Sequence, residues 1–192
     1  MRFKMTSLEE MLMPTRFIQA SGMLAVLLAA VVWSDVGAQQ SACSLLTSTD
    51  IEVATGAKPG VSHPSDYSVP AGSGKSETVH ICMWAVAPHK GQVSLSLGRL
   101  PAGGMSAETA TKQNPGMDSL RAAHWTEEAK SFGKAWCSVM TPPASQKNGL
   151  IMSTCSAEVK GMILSVTFTS PTKKLTIDQT KALLDKATGR VR

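Results

Sequence analysis

The chain has 192 residues, with 19 Lys and Arg against 14 Asp and Glu for a formal charge of +5. That length allows one domain with a real core. The basic excess gathers near the C-terminus in Lys173, Lys174, Lys181, Lys186, Arg190 and Arg192, and favours anionic partners such as an envelope component. It has no interleaved aromatic residues, which excludes nucleic acid and leaves a solvated helix face as the plainer reading.

Residues 1–38 read as a signal peptide. Arg16 precedes an apolar run over residues 23–33, and Val36-Gly37-Ala38 places small residues at the cleavage positions. So short a run suits a secretory leader better than an uncleaved anchor, and no stable membrane span is left after cleavage. Met13 as initiator would give a leader of conventional length. Cys43 follows Ser41-Ala42 as in a lipoprotein, but Gln40 stands where a large aliphatic residue is needed. Residues 39–192 are then a single exported domain, periplasmic or secreted. All four cysteines lie in it; export allows them to oxidise, and three connectivities remain open.

Thr47 and Asp50 form a capping box ahead of a short helix that Gly56 ends. Leu45, Leu46 and Ile51 would hold it to the core. Residues 57–76 turn rich in Pro, Gly, Ser and Lys and read as a mobile surface loop. Gly72-Ser73-Gly74-Lys75-Ser76 within it looks like the end of a phosphate-binding loop. Val69 stands where the first glycine belongs, and neither a preceding hydrophobic strand nor a following helix is present, so it reads as a decoy.

Residues 79–87 and 92–100 alternate as a hairpin. Pairing Val86 with Val93, Trp84 with Leu95 and Cys82 with Leu97 puts the apolar set on one face. A helix beginning at Cys43 on that core could reach Cys82. Residues 101–133 are the least legible. Ser106 caps a short helix, Asp118 starts another, and residues 126–130 fit an edge strand equally well.

Residues 150–169 form a second hairpin about Lys160-Gly161. It pairs Val159 with Met162, Ala157 with Leu164, Cys155 with Val166 and Ser153 with Phe168. Its other face carries Thr154, Ser156, Ser165, Thr167 and Thr169, interrupted by Met152 and Ile163. Setting Cys137 across from Cys155 brings Ala135 and Val139 onto the same apolar face, and Pro142-Pro143 then takes the chain out of the sheet. A bridge there would stabilise by about 3 kcal/mol in the chain-entropy model. A last helix starts at a Thr176/Gln179 capping box, buries Ile177, Thr180, Leu183, Leu184, Ala187 and Val191, and ends at Gly189. The fold class is therefore α+β: an antiparallel sheet of about five strands with the N- and C-terminal helices packed on one face.

The Cys-x-Leu-Leu-Thr opening at residues 43–47, the Cys82-x-Trp84 strand and the Gly133-x-x-Trp136 segment together resemble a group of small exported bacterial proteins and lipoproteins. That group is a domain of unknown function distantly like extracellular sensor domains. The resemblance implies an α+β domain without established catalysis, with its first two cysteines bridged. Cys43–Cys82 and Cys137–Cys155 are accordingly the expected disulfides.

No motif names a reaction. Glu127 and Glu128 are adjacent rather than opposed, no serine sits in a nucleophile elbow, and there is no Cys-x-x-Cys. His63, His80, His89 and His124 are scattered, and His80 and Met83 point to opposite faces of one strand. A copper site of imidazole and thioether groups would need help from elsewhere, and the methionines read as core filler. Trp125 and Trp136 fall away from the apolar face and are the candidate ligand surface. The expectation is a non-catalytic binding or accessory domain without a cofactor, serving an anionic envelope component or another exported protein. An envelope hydrolase would instead show a deep pocket where Glu127 or Glu128 meets a histidine. A copper protein would bring sulfur and imidazole to one point.

Overall fold

A computed structural model describes residues 41–71, 75–87, 91–100, 106–112, 115–146 and 148–192. The expected leader and Gly72-Ser73-Gly74 lie outside the described residues. A 3-10 turn at Ala42–Ser44 leads into α1 (Ser48–Thr55), followed by β1 (Pro59–Ala71), β2 (Lys75–Val86) and β3 (Gly91–Arg99). Then come α2 (Ala107–Lys112), α3 (Pro115–Ala122), β4 (Thr126–Phe132), β5 (Ala135–Thr141), β6 (Ile151–Val159), β7 (Met162–Ser170) and α4 (Ile177–Thr188).

The strands form one antiparallel sheet in the order β1-β2-β3-β7-β6-β5-β4. It has seven strands rather than about five, and the two additions are its two edges. Residues 59–71, expected as part of a loop, form the outer strand β1. This strand carries three prolines and exposes most of its described side chains, so it shows no apolar alternation to read. At the opposite edge β4 resolves the helix-or-strand ambiguity of residues 126–130. Its composition is equally polar because only one of its sides meets another strand.

The inner strands follow the apolar alternation. The β6–β7 pairing sets Val159 against Met162, Ala157 against Leu164, Cys155 against Val166 and Ser153 against Phe168, as the pattern requires. Cys137 faces Cys155 across β5 and β6. The β2–β3 hairpin keeps the expected faces but not the expected partners: Trp84 pairs with Val93 and Cys82 with Leu95. A shift of two residues preserves the face of every side chain, so periodicity alone cannot detect it. Gly91 now sits opposite Val86, and any larger residue there would collide with the Phe168 ring, whose nearest carbon would lie 2.9 Å from the added Cβ.

β3 and β7 join the two hairpins edge to edge, pairing Val93 with Phe168, Leu95 with Val166 and Leu97 with Leu164. All six are buried and head one continuous core with Cys82, Trp84, Val86, Cys137, Val139 and Cys155. α1 and α4 close over this core face. Leu45, Leu46 and Ile51 come from in and around α1, Leu175, Leu183, Leu184 and Ala187 from in and around α4, and all are buried. Each of these leucines, and Ile51, stabilises by roughly 1.5–3 kcal/mol as an upper figure. Both expected capping boxes form, Thr47 with Asp50 and Thr176 with Gln179. Ser153 Oγ donates to the Leu175 carbonyl at 2.9 Å, which satisfies a hydroxyl enclosed in the apolar layer.

Both disulfides are present, Cys43–Cys82 and Cys137–Cys155, with Cα separations of 5.0 and 4.0 Å. Among the described residues no helix is long and apolar enough to cross a membrane.

Candidate functional site

Strand periodicity gives the sheet a second, outer face, and the registers make it continuous. One row across the seven strands reads Ser131, Trp136, Ser156, Ser165, Ser96, Ile81, Ser65. The next reads Ala129, Ser138, Thr154, Thr167, Ser94, Met83, His63. Hydroxyls dominate both rows, and the middle of the face carries no charged side chain. On β6 and β7 they satisfy one another, with Ser156 and Ser165 Oγ atoms 2.7 Å apart and Thr154 and Thr167 Oγ1 atoms 3.0 Å apart.

α2 covers one half of this face, resting on β5 and β6. Beneath it Ser138 is buried, and the Lys112 ammonium lies 4.6 Å from the centroid of the Trp136 ring. Trp136 is half-buried, as is Trp125, whose amide donates to the Leu120 carbonyl as the chain leaves α3. Both indole N–H groups and the Ser138 hydroxyl are enclosed without a partner among the described residues. The two tryptophans thus belong to the covered side of the face, with Lys112 on one side of the Trp136 ring.

The other half, from β1 to β7, is accessible. Ile81, Met83, Ser94, Ser96, Ser165 and Thr167 are each partly exposed, His63 and Ser65 are exposed, and Tyr67 stands at its end at 47 % exposure. Alternation alone turns Ser94, Ser96, Ser165 and Thr167 outward within their hairpins, whereas Ser65 and Tyr67 fall in the segment expected as a loop. What the sequence did not show is that β3 and β7 are neighbours, which fuses two short polar strips into one surface.

The side chains considered for chemistry lie apart. Glu127 and Glu128 point to opposite faces of β4. Glu127 receives the Arg121 guanidinium, Nε to Oε2 at 2.9 Å and Nη2 to Oε1 at 3.3 Å, while Glu128 holds Lys174 Nζ at 2.8 Å. A recess of about 140 Å³ lined by Glu108, Lys134 and Glu158 lies at the start of α2, small beside the usual ligand pocket. His80 Nδ1 lies 2.9 Å from Asp66 Oδ1, Met83 is on the other face, and the Cys82 sulfur is taken up in its disulfide. Among the described residues no three His, Cys, Asp or Glu side chains converge as metal ligands.

The C-terminal cations are largely engaged within the chain. Lys173 Nζ donates to the Thr55 carbonyl, Lys181 holds Asp185 at 2.6 Å, and Arg190 Nη1 bonds both the Leu45 carbonyl at 2.9 Å and Asp50 at 2.6 Å. Burial acts to raise the Asp50 pKa. It is outweighed by hydrogen bonds from Arg190 and from the Thr47 hydroxyl and amide, together with the Arg190 charge, which lower it to about 2.

No protein-family model matches the chain, and no curated protein matches it either.

Proposed function

We propose that this is an exported, non-catalytic accessory domain that binds another exported protein through the accessible half of the hydroxyl face. The observation that carries the reading is the pair of uncharged rows crossing β7, β3 and β2, where Ser165, Ser96, Thr167 and Ser94 lead to Ile81 and Met83. Hydroxyls both donate and accept, so they meet the mixed polar edge of a protein surface, while Ile81 and Met83 supply apolar contact. An anionic polymer would need free cations, and the basic residues here are mostly held by Asp50, Glu128, Asp185 and the Thr55 carbonyl. A sugar would need an open aromatic platform, and Lys112 stands over Trp136. The exported setting is supported by two disulfides, bonds that persist where thiols are oxidised, and agrees with the resemblance to small exported bacterial proteins.

A photo-crosslinking side chain at position 83, 96 or 167, introduced in the cell that makes the protein, should give one discrete adduct. The same group at Asp178 or Lys186, on the solvent side of α4, should give none. Met83→Glu should abolish the adduct formed from position 167. Equal labelling from α4, or silence from all three sheet positions, would refute the reading.

A further inference from the structure

The sheet ends in two edges of different character. β1 contains Pro59, Pro64 and Pro70 and shifts register between Pro59 and Ser62. Missing donors and an irregular backbone are the usual means by which an edge refuses another strand. β4 has neither. It is a regular seven-residue strand, Thr-Glu-Glu-Ala-Lys-Ser-Phe, in unbroken register with β5. Among the described residues no strand pairs with its outer side, where Thr126, Glu128, Ala129, Lys130 and Ser131 are exposed.

Its charges are arranged symmetrically about Ala129. An antiparallel copy centred on that residue sets Glu128 opposite Lys130, Lys130 opposite Glu128, Glu127 opposite Ser131 and Thr126 opposite Phe132. The dyad passes between two methyl groups, so no bulk obstructs it. Glu128 and Lys130 share the face on which Lys174 reaches Glu128 at 2.8 Å, and both cross-strand pairs would join opposite charges. On the other face Glu127, already fixed by Arg121, would accept from the Ser131 hydroxyl of the second copy. The alternation that repels a strand of unmatched charge is complementary to itself.

We infer that β4 is a homodimer edge, joining two copies of this chain about Ala129 into one continuous antiparallel sheet. The association is isologous, as a two-fold axis requires, and leaves the accessible half of the hydroxyl face free on both subunits.

Analytical ultracentrifugation of the oxidised protein, purified from the exporting cell, tests this over a concentration series. The unaltered protein should pass from monomer to dimer. Glu128→Lys alone and Lys130→Glu alone each set like charges opposite one another twice, and should weaken the dimer by roughly tenfold or more. An equimolar mixture of the two single variants should dimerise again, as should the double variant E128K/K130E. Ala129→Lys, at an exposed position, should also give monomers by placing two ammonium groups on the axis. A monomer at every concentration, a dimer indifferent to either reversal, or a mixture of single variants that stays apart would overturn the inference.

Discussion

Asp50 ties α1 to the segment that follows α4. Its Oδ2 atom receives the Thr47 amide at 2.8 Å, the Thr47 hydroxyl at 2.7 Å and Arg190 Nη1 at 2.6 Å. The first of these, with the Asp50 amide donating in return to Thr47 Oγ1 at 3.2 Å, closes a capping box legible in the sequence. The third, from the last residues of the chain, is not, because nothing local brings residue 190 to residue 50. The pKa of Asp50 is lowered from 3.8 to about 2, so its contribution is complete above the unfolded value and is lost as pH falls from there toward about 2. Urea unfolding at about pH 5 and about pH 2.5 should show up to about 2 kcal/mol disappearing between them on this account. In Asp50→Asn that component of the pH dependence should be absent. An identical pH profile in the variant would show that the carboxylate carries no such linkage.

Turns and edges mark where local pattern succeeds and fails as a guide to elements. Lys160-Gly161 was legible as a hairpin turn, and both residues adopt positive φ, 49° and 74°. A two-residue hairpin loop of that kind favours Asn-Gly. Lys160→Asn should therefore raise stability by roughly 0.5–1 kcal/mol, and Gly161→Ala should lower it by about 1–2 kcal/mol. A Cβ at Gly161 would meet nothing within 4 Å, so that loss would be conformational rather than steric. Shifts in the urea midpoint at constant slope would report both; a Gly161→Ala protein as stable as the parent would remove the argument. β1 and β4 were illegible or ambiguous for the opposite reason. An edge strand exposes most of its side chains, and its hydrogen bonds to one neighbour leave no periodic trace in composition. The Thr47 and Thr176 capping boxes were plain because each is complete within four residues.

For the whole molecule the disulfides link what the sheet alone would leave to packing. Cys43–Cys82, separated by 39 residues, fastens the opening turn to β2, and Cys137–Cys155, separated by 18, fastens β5 to β6. Loop length implies about 4 kcal/mol for the first and about 3 kcal/mol for the second in the chain-entropy model. Replacing Cys43 and Cys82 together by serine should therefore lower stability slightly more than replacing Cys137 and Cys155. Non-reducing peptide mapping of the purified protein checks the pairing directly, with free thiols on Cys43 and Cys82 as the contrary result. The same spectrum should place the mature N-terminus at Gln39.

The sequence by itself determined the phase of every inner strand and both capped helices, because side-chain alternation and capping chemistry act over a few residues. Tertiary structure alone decided that β3 lies beside β7, that residues 59–71 and 126–132 are the edges, and that α2 covers Trp136. Each of these depends on contacts between segments far apart in the chain, whose closure is set by the shared core and not by local preference. The hydroxyl face belongs to both accounts. Its side chains were turned outward by periodicity, and they became one surface only when two hairpins met.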